Sequence, residues 1–186
     1  MTELIPPVAD LADLVLAMVD PPWPTTEDDR LDFYRRVGLT QLEWDNSGFD
    51  ERPDDHSVWH RFATSLPEVD GMDTMFRDQF LGLSLFAYNQ PGDDGPASRT
   101  AYPLLKDRFT ARFGAPTEEW GTEREPACYW AVGAVQVEMY CFQRLASGVM
   151  LRPSHRDRTA EHDRQAAADP RNVRPPRNNG PVEDGS

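Results

Sequence analysis

The chain has a single lysine, Lys106, only two cysteines, Cys128 and Cys141, and no apolar run long enough to cross a bilayer. Each shortage excludes something. Two cysteines cannot build the disulfide framework of a small secreted domain, so both are expected to be free thiols. Residues Met1 to Pro7 carry Glu3 where a signal peptide has a basic region, and Asp13 interrupts the apolar residues from Leu11 to Val19. A cytoplasmic location is expected on that ground. There is no Gly-x-Ser-x-Gly elbow and no phosphate-binding glycine loop, which removes two common signatures of covalent catalysis and nucleotide binding.

Acid, in contrast, is plentiful. The 186 residues carry 32 Asp and Glu against 19 Lys and Arg, a net charge of -13. Residues 1 to 100 hold 20 acidic residues against 7 arginines, residues 101 to 150 hold 6 against 5, and residues 151 to 186 hold 6 against 7. The excess negative charge therefore lies in the first hundred residues. Such a surface stays soluble, attracts a cationic partner and repels nucleic acid, whose phosphates need a basic patch that residues 1 to 150 do not supply. At 39% hydrophobic residues, the length suits one domain around one core.

The clearest local pattern runs from Ala127 to Phe142. A two-residue turn at Gly133-Ala134 pairs Val132 with Val135, which sets Trp130 opposite Val137 and Cys128 opposite Met139, with Cys141 further along the same face. Tyr129, Gln136 and Glu138 point the other way. A slip of one residue would mix the two sets, so the register is well specified. It also puts the cysteines on the core face as diagonal neighbours, poorly placed for a disulfide.

Leu11, Leu14, Val15, Met18 and Val19 recur at helical spacing after Asp10, and Pro21-Pro22 ends that helix. Thr25 or Thr26 caps a second helix with Glu27, Asp28 and Asp29 in its first turn, Leu31, Tyr34 and Val37 as its inner stripe, and Gly38 as its stop. A short strand is expected within Leu39 to Trp44, a polar loop over Asp45 to Asp55, and strands over Val58 to Thr64 and Phe80 to Tyr88. The last is apolar on both faces, as a central strand is. Leu66 to Met75 gives no clear signal. Thr100 is the expected cap of a third helix carrying Tyr102, Leu105, Phe109 and Phe113, stopped by Gly114 and Pro116. A strand at Val149 to Leu151 follows the hairpin. A single α+β domain is thus expected over residues 1 to 153, with two N-terminal helices and one longer helix packed on a mostly antiparallel sheet. Residues 154 to 186 read as a polar helix capped by Ser154 and then a disordered tail.

The Leu-Leu-x3-Phe-x3-Phe-Gly-x-Pro run from Leu104 to Pro116, followed by Trp120 and by the hairpin from Tyr129-Trp130 to Val137-Glu138, resembles a small actinobacterial domain of unknown function, the family numbered 6301. The resemblance covers residues 5 to 153. It implies the fold, and it brings to mind immunity and accessory proteins; it implies no activity.

Three constellations bear on chemistry. Asp54, Asp55, His56 and His60 combine two histidines at i and i+4 with carboxylates, as a metal or general-base site on a helix would. On a strand the two histidines share a face but stand about 13 Å apart, too far to share an ion. Glu68, Asp70, Asp73 and Asp78, with Asp93 and Asp94, form a carboxylate cluster whose spacing matches no calcium loop and whose simplest reading is solvated charge. In the tail, Arg171, Arg174 and Arg177 interleave with Pro170, Pro175 and Pro176, a composition that favours polyproline II and suits either an aromatic groove, a fold-back on the acidic half or an inert terminus. No cofactor or metal and no nucleic-acid or membrane partner is expected. The function expected from charge and the lack of catalytic motifs is a non-catalytic acidic interaction protein binding a basic protein partner. The alternative is a hydrolase-type enzyme working through Asp54, Asp55, His56 and His60.

Overall fold

In the computed structural model, which describes residues 4–20, 22–43, 57–92, 95–143 and 146–168, the chain runs α1 (Val8–Val19), α2 (Glu27–Val37), β1 (Thr40–Gln41), β2 (Ser57–Ala63), β3 (Asp70–Phe76), β4 (Gln79–Pro91), α3 (Pro96–Phe113), β5 (Glu118–Gly121), β6 (Pro126–Val132), β7 (Val135–Gln143), β8 (Ala146–His155) and α4 (Arg156–Ala168). The strands form one antiparallel sheet in the order β1-β2-β3-β4-β8-β7-β6-β5. This is an α+β fold. No described helix is long and apolar enough to cross a membrane.

Pleating divides the sheet into two faces. On the inner face Phe62, Leu83, Leu85, Ala87, Trp130, Val137, Met139, Val149 and Leu151 meet Leu11, Val15 and Met18 of α1, Phe33 and Tyr34 of α2, and Leu105 and Phe109 of α3 in one core. The hairpin has the register its sequence dictates: Val132 pairs with Val135, Trp130 with Val137 and Cys128 with Met139. Both cysteines are buried free thiols. Burial pushes the Cys128 thiol up, against the hydrogen bond it receives from the Tyr102 hydroxyl, so it is inert.

Several elements differ from the sequence expectation. Ser154 does not cap the last helix: it is buried within β8, paired with Gly82 and Gln136, so the strand expected at Val149 to Leu151 runs on past residue 153 to His155 and α4 begins at Arg156. Helix α1 starts at Val8, before Asp10, and α3 starts at Pro96, four residues before Thr100. Proline suits a first helical turn because its missing N–H has no partner there anyway, and Thr100 instead returns its hydroxyl to the Pro96 carbonyl. In α2 the cap is Thr26, which accepts from Asp29 N while Asp29 accepts from Thr26 N, and Gly38 closes the helix at φ 72°. Its inner face, however, carries Arg30 and Phe33, while Leu31 is exposed. Finally, the unassigned stretch before Phe76 is strand β3.

Helix α4 lies across the opposite, outer face. The Phe76 and His162 rings meet edge to face at 4.9 Å, Ser57 Oγ lies 3.4 Å from His162 Nε2, and Thr159 is buried. Arg158 holds the helix start by donating to the Pro24 and Phe80 carbonyls and to Thr25 Oγ1. A helix without an apolar stripe is thus docked by polar contacts.

Candidate functional site

His60, the one described member of the expected His/Asp constellation, sits on the inner face of β2 directly opposite Asp73 of β3. Asp54, Asp55 and His56 lie outside the described residues. Asp73 has no solvent exposure and accepts four hydrogen bonds: His60 Nδ1 at 2.8 Å and His60 N at 3.2 Å on Oδ1, Tyr34 Oη at 2.7 Å and Arg30 Nη1 at 3.0 Å on Oδ2. Arg30 is equally buried; its Nε donates to Glu27 Oε2 at 2.7 Å and its Nη2 to Glu27 Oε1 and to Gln41 Oε1. Burial alone would push the Arg30 guanidinium down, but the hydrogen bond to Glu27 and the charges of Asp73 and Glu27 reverse this and leave it raised. Burial and the neighbouring Asp73 carboxylate push the Tyr34 phenol up.

A carboxylate on Nδ1 fixes a histidine's tautomer, and in a hydrolase that orients Nε2 toward a nucleophile. Here no nucleophile among the described residues is hydrogen-bonded to His60. Among the described residues His60's side chain hydrogen-bonds to Asp73 alone, and Asp73 is already matched by Arg30 and Tyr34. The arrangement is a satisfied buried polar network joining α2, β1, β2 and β3. The described residues contain no group of three or more His, Cys, Asp and Glu able to hold a metal. The carboxylate cluster is dispersed: Asp73 points inward, Asp70 points outward to Arg61 at 3.1 Å, Asp78 is exposed in the β3–β4 turn, and Glu68 occupies a separate bend. Asp93, Asp94 and the tail arginines fall outside the described residues.

The outer face of the sheet has a different character. Register places Trp120, Ala127, Tyr140, Met150 and Phe86 in one row across β5, β6, β7, β8 and β4. Trp120 is 40% exposed, and the Tyr140, Met150 and Phe86 side chains are half-buried. The Trp120 ring meets Tyr140 edge to face at 5.6 Å and Tyr129 at 6.2 Å. The neighbouring row carries Glu118, Tyr129, Glu138 and Arg152. Glu138 accepts from Tyr140 Oη and Gln136 Nε2, both at 2.7 Å. Burial and then the Glu138 hydrogen bond push the Tyr140 phenol up, and Asp163 on α4 adds to it.

At the end of this row Trp120, Tyr140 and Phe142 wall a groove of about 500 Å³ that also takes in Glu125, Pro126 and Ala127. Glu118, in the neighbouring row, is exposed beside it, whereas Glu119 turns to the other face and pairs with Lys106 of α3. A second cleft, about 900 Å³, lies between α1 and the β6–β7 turn; Leu16, Val19, Trp23, Phe113 and Val132 line it. The aromatic groove is hidden in the sequence because β5 reads Glu-Glu-Trp-Gly, too short and too polar to show a strand's alternation. The signal that was present is Trp120 itself, a large apolar residue two positions after Glu118 in a chain with five tryptophans. No family model, no curated protein and no solved structure matches the chain.

Proposed function

We propose that this chain is a non-catalytic interaction protein, of the immunity or accessory kind, that binds a basic protein partner on the outer face of its sheet. The observation that carries the reading is the exposed Trp120, seated against Tyr129 and Tyr140 and bordered by Glu118 and Glu138. Aromatic rings supply contact area at little conformational cost, and their faces attract arginine and lysine; nearby carboxylates raise the encounter rate with a cationic surface. The net charge of -13 acts in the same direction. The hydrolase alternative draws less support, because His60 is engaged in a network that Arg30 and Tyr34 complete.

The test is affinity capture from the source organism, followed by titration of the purified partner against salt. A basic protein bound in stoichiometric amount, with affinity falling as ionic strength rises, supports the reading. A partner whose affinity ignores salt, or hydrolytic activity abolished by His60→Ala, overturns it.

A further inference from the structure

Strand β5 ends the sheet, and its outer edge is open. Among the described residues β5 pairs with β6 alone, and all four of its residues are exposed. Half of an edge strand's backbone N–H and C=O groups point away from its neighbour and are free to pair with another chain. Proline or lysine commonly blocks such an edge, and β5 has neither. Both ends of the strand are fixed in place. Thr117 N donates to the Tyr129 carbonyl at 2.8 Å, Thr117 Oγ1 accepts from Ala131 N at 3.0 Å, and Thr122 N donates to the Glu125 carbonyl at 3.2 Å. An edge already held extended loses little entropy when a partner arrives.

Charge decides which strand fits. Glu119 is answered by Lys106 at 2.6 Å, and Glu138 lies 3.6 Å from Arg152. Glu118, on the outer face two residues before Trp120, has no ion-pair partner among the described residues. A second copy of β5 would bring another unpaired Glu118 to the same seam, which disfavours pairing of the chain with itself. We infer that the basic partner supplies an extended segment that adds to β5 as a further strand, with an arginine or lysine beside Glu118 and, two positions along, an apolar side chain beside Trp120. Alternate residues of a strand share a face, so a spacing of two meets both sites. On the other face the incoming chain meets the Glu119–Lys106 pair and Gly121, so those positions carry no requirement. The inference rests on the partner reading proposed above and names the partner's docking element: backbone pairing supplies affinity, and alternate side chains supply choice.

The probe is an end-capped peptide, Thr-Arg-Thr-Val-Thr, titrated into the isotope-labelled full chain while NMR reads the β5 amides and the Trp120 indole. Strand addition predicts slower hydrogen exchange at the β5 amides facing the open edge and a shifted Trp120 resonance. Methylating alternate peptide nitrogens keeps every side chain and removes backbone donors from one side of the peptide only. One of the two alternating sets should therefore lower affinity about tenfold or more while the other leaves it nearly unchanged. Reversing the charge, with Glu118→Lys in the chain or glutamate for arginine in the peptide, should weaken binding about threefold or more, and combining both reversals should restore it. No exchange protection at millimolar peptide, equal affinity for the two methylated sets, or charge reversals whose effects simply add overturns strand addition. Protection of β5 that grows with chain concentration in the absence of peptide identifies a second copy as the occupant and also overturns it. Binding that is lost in Trp120→Ala but is indifferent to methylation refutes strand addition and leaves the partner reading standing as a contact with the face alone. Failure of partner capture, in turn, leaves the peptide result intact.

Discussion

Replacing Asp73 by alanine removes the acceptor on which two helix side chains and one strand converge. Asp73 and Arg30 are both fully buried, and Asp73 takes hydrogen bonds from Arg30, Tyr34 and His60. Deleting one partner of a buried ion pair costs about 3 to 5 kcal/mol, because the surviving charge stays desolvated with less to match it. Orphaned hydroxyl and ring donors cost about 1 to 3 kcal/mol each elsewhere, but members of one network are not additive, so the total stays near that range. Glu27 and Gln41 still hold Arg30, which keeps the estimate from rising further. In urea, at a slope of about 2 kcal/mol/M, the midpoint should fall by roughly 1.5 to 2.5 M, followed by circular dichroism. Replacing both charges with apolar residues, Arg30→Met with Asp73→Leu, should cost less than Asp73→Ala alone. A loss below about 1 kcal/mol for Asp73→Ala, or a double variant worse than the single one, would refute the reasoning.

Other changes probe other parts of the fold. Trp130→Ala empties a site that is 1% exposed, 5.5 Å from the Phe109 ring and hydrogen-bonded from Nε1 to the Gly114 carbonyl; it should cost about 3 to 5 kcal/mol in chemical unfolding, and near-zero loss would contradict the burial. Gly71→Ala would place a Cβ 2.3 Å from the Ser84 carbonyl oxygen and 2.6 Å from Phe62 Cζ, so a loss of about 1 to 3 kcal/mol is expected in thermal melts, and an unchanged melting temperature would contradict the close approach of β3 and β4. The hydrogen bond from Arg30, with its charge, holds the Glu27 carboxyl below its ordinary value of 4.5 despite partial burial. Unfolded Glu27 therefore binds a proton before folded Glu27 does. Its stabilising contribution is complete above pH 4.5 and is lost as pH falls below it, so Glu27→Gln should flatten the acid limb of the stability profile.

Sequence alone revealed the parts of this fold held by short-range pattern. The hairpin register followed from two-residue periodicity on either side of Gly133-Ala134, and α1 from its apolar stripe. The α2 cap followed from Thr26 and the acidic residues after it. What stayed hidden depends on contacts far apart in the chain. Strand β3 is written Gly71-Met72-Asp73-Thr74-Met75, and its glycine and aspartate suppress the strand signal. Gly71 is needed because Phe62 fills the space above it, and Asp73 because Arg30 arrives 43 residues earlier in sequence. For the same reason His60 looked like a partner for Asp54 and Asp55, whereas its observed partner is directly across the ladder. The outer aromatic row joins five strands that are dispersed along the sequence, so only the sheet order exposes it.

The central claim is that the chain works by binding through the row that begins at Trp120. The most direct measurement is the dissociation constant of the captured basic partner for the wild-type chain and for Trp120→Ala and Tyr140→Ala, with melting temperatures taken in parallel. Each substitution should weaken binding by about 30-fold or more, as loss of a central aromatic anchor of about 2 kcal/mol does, while the melting temperature shifts little at these incompletely buried sites. Unchanged affinity in both variants would contradict the claim.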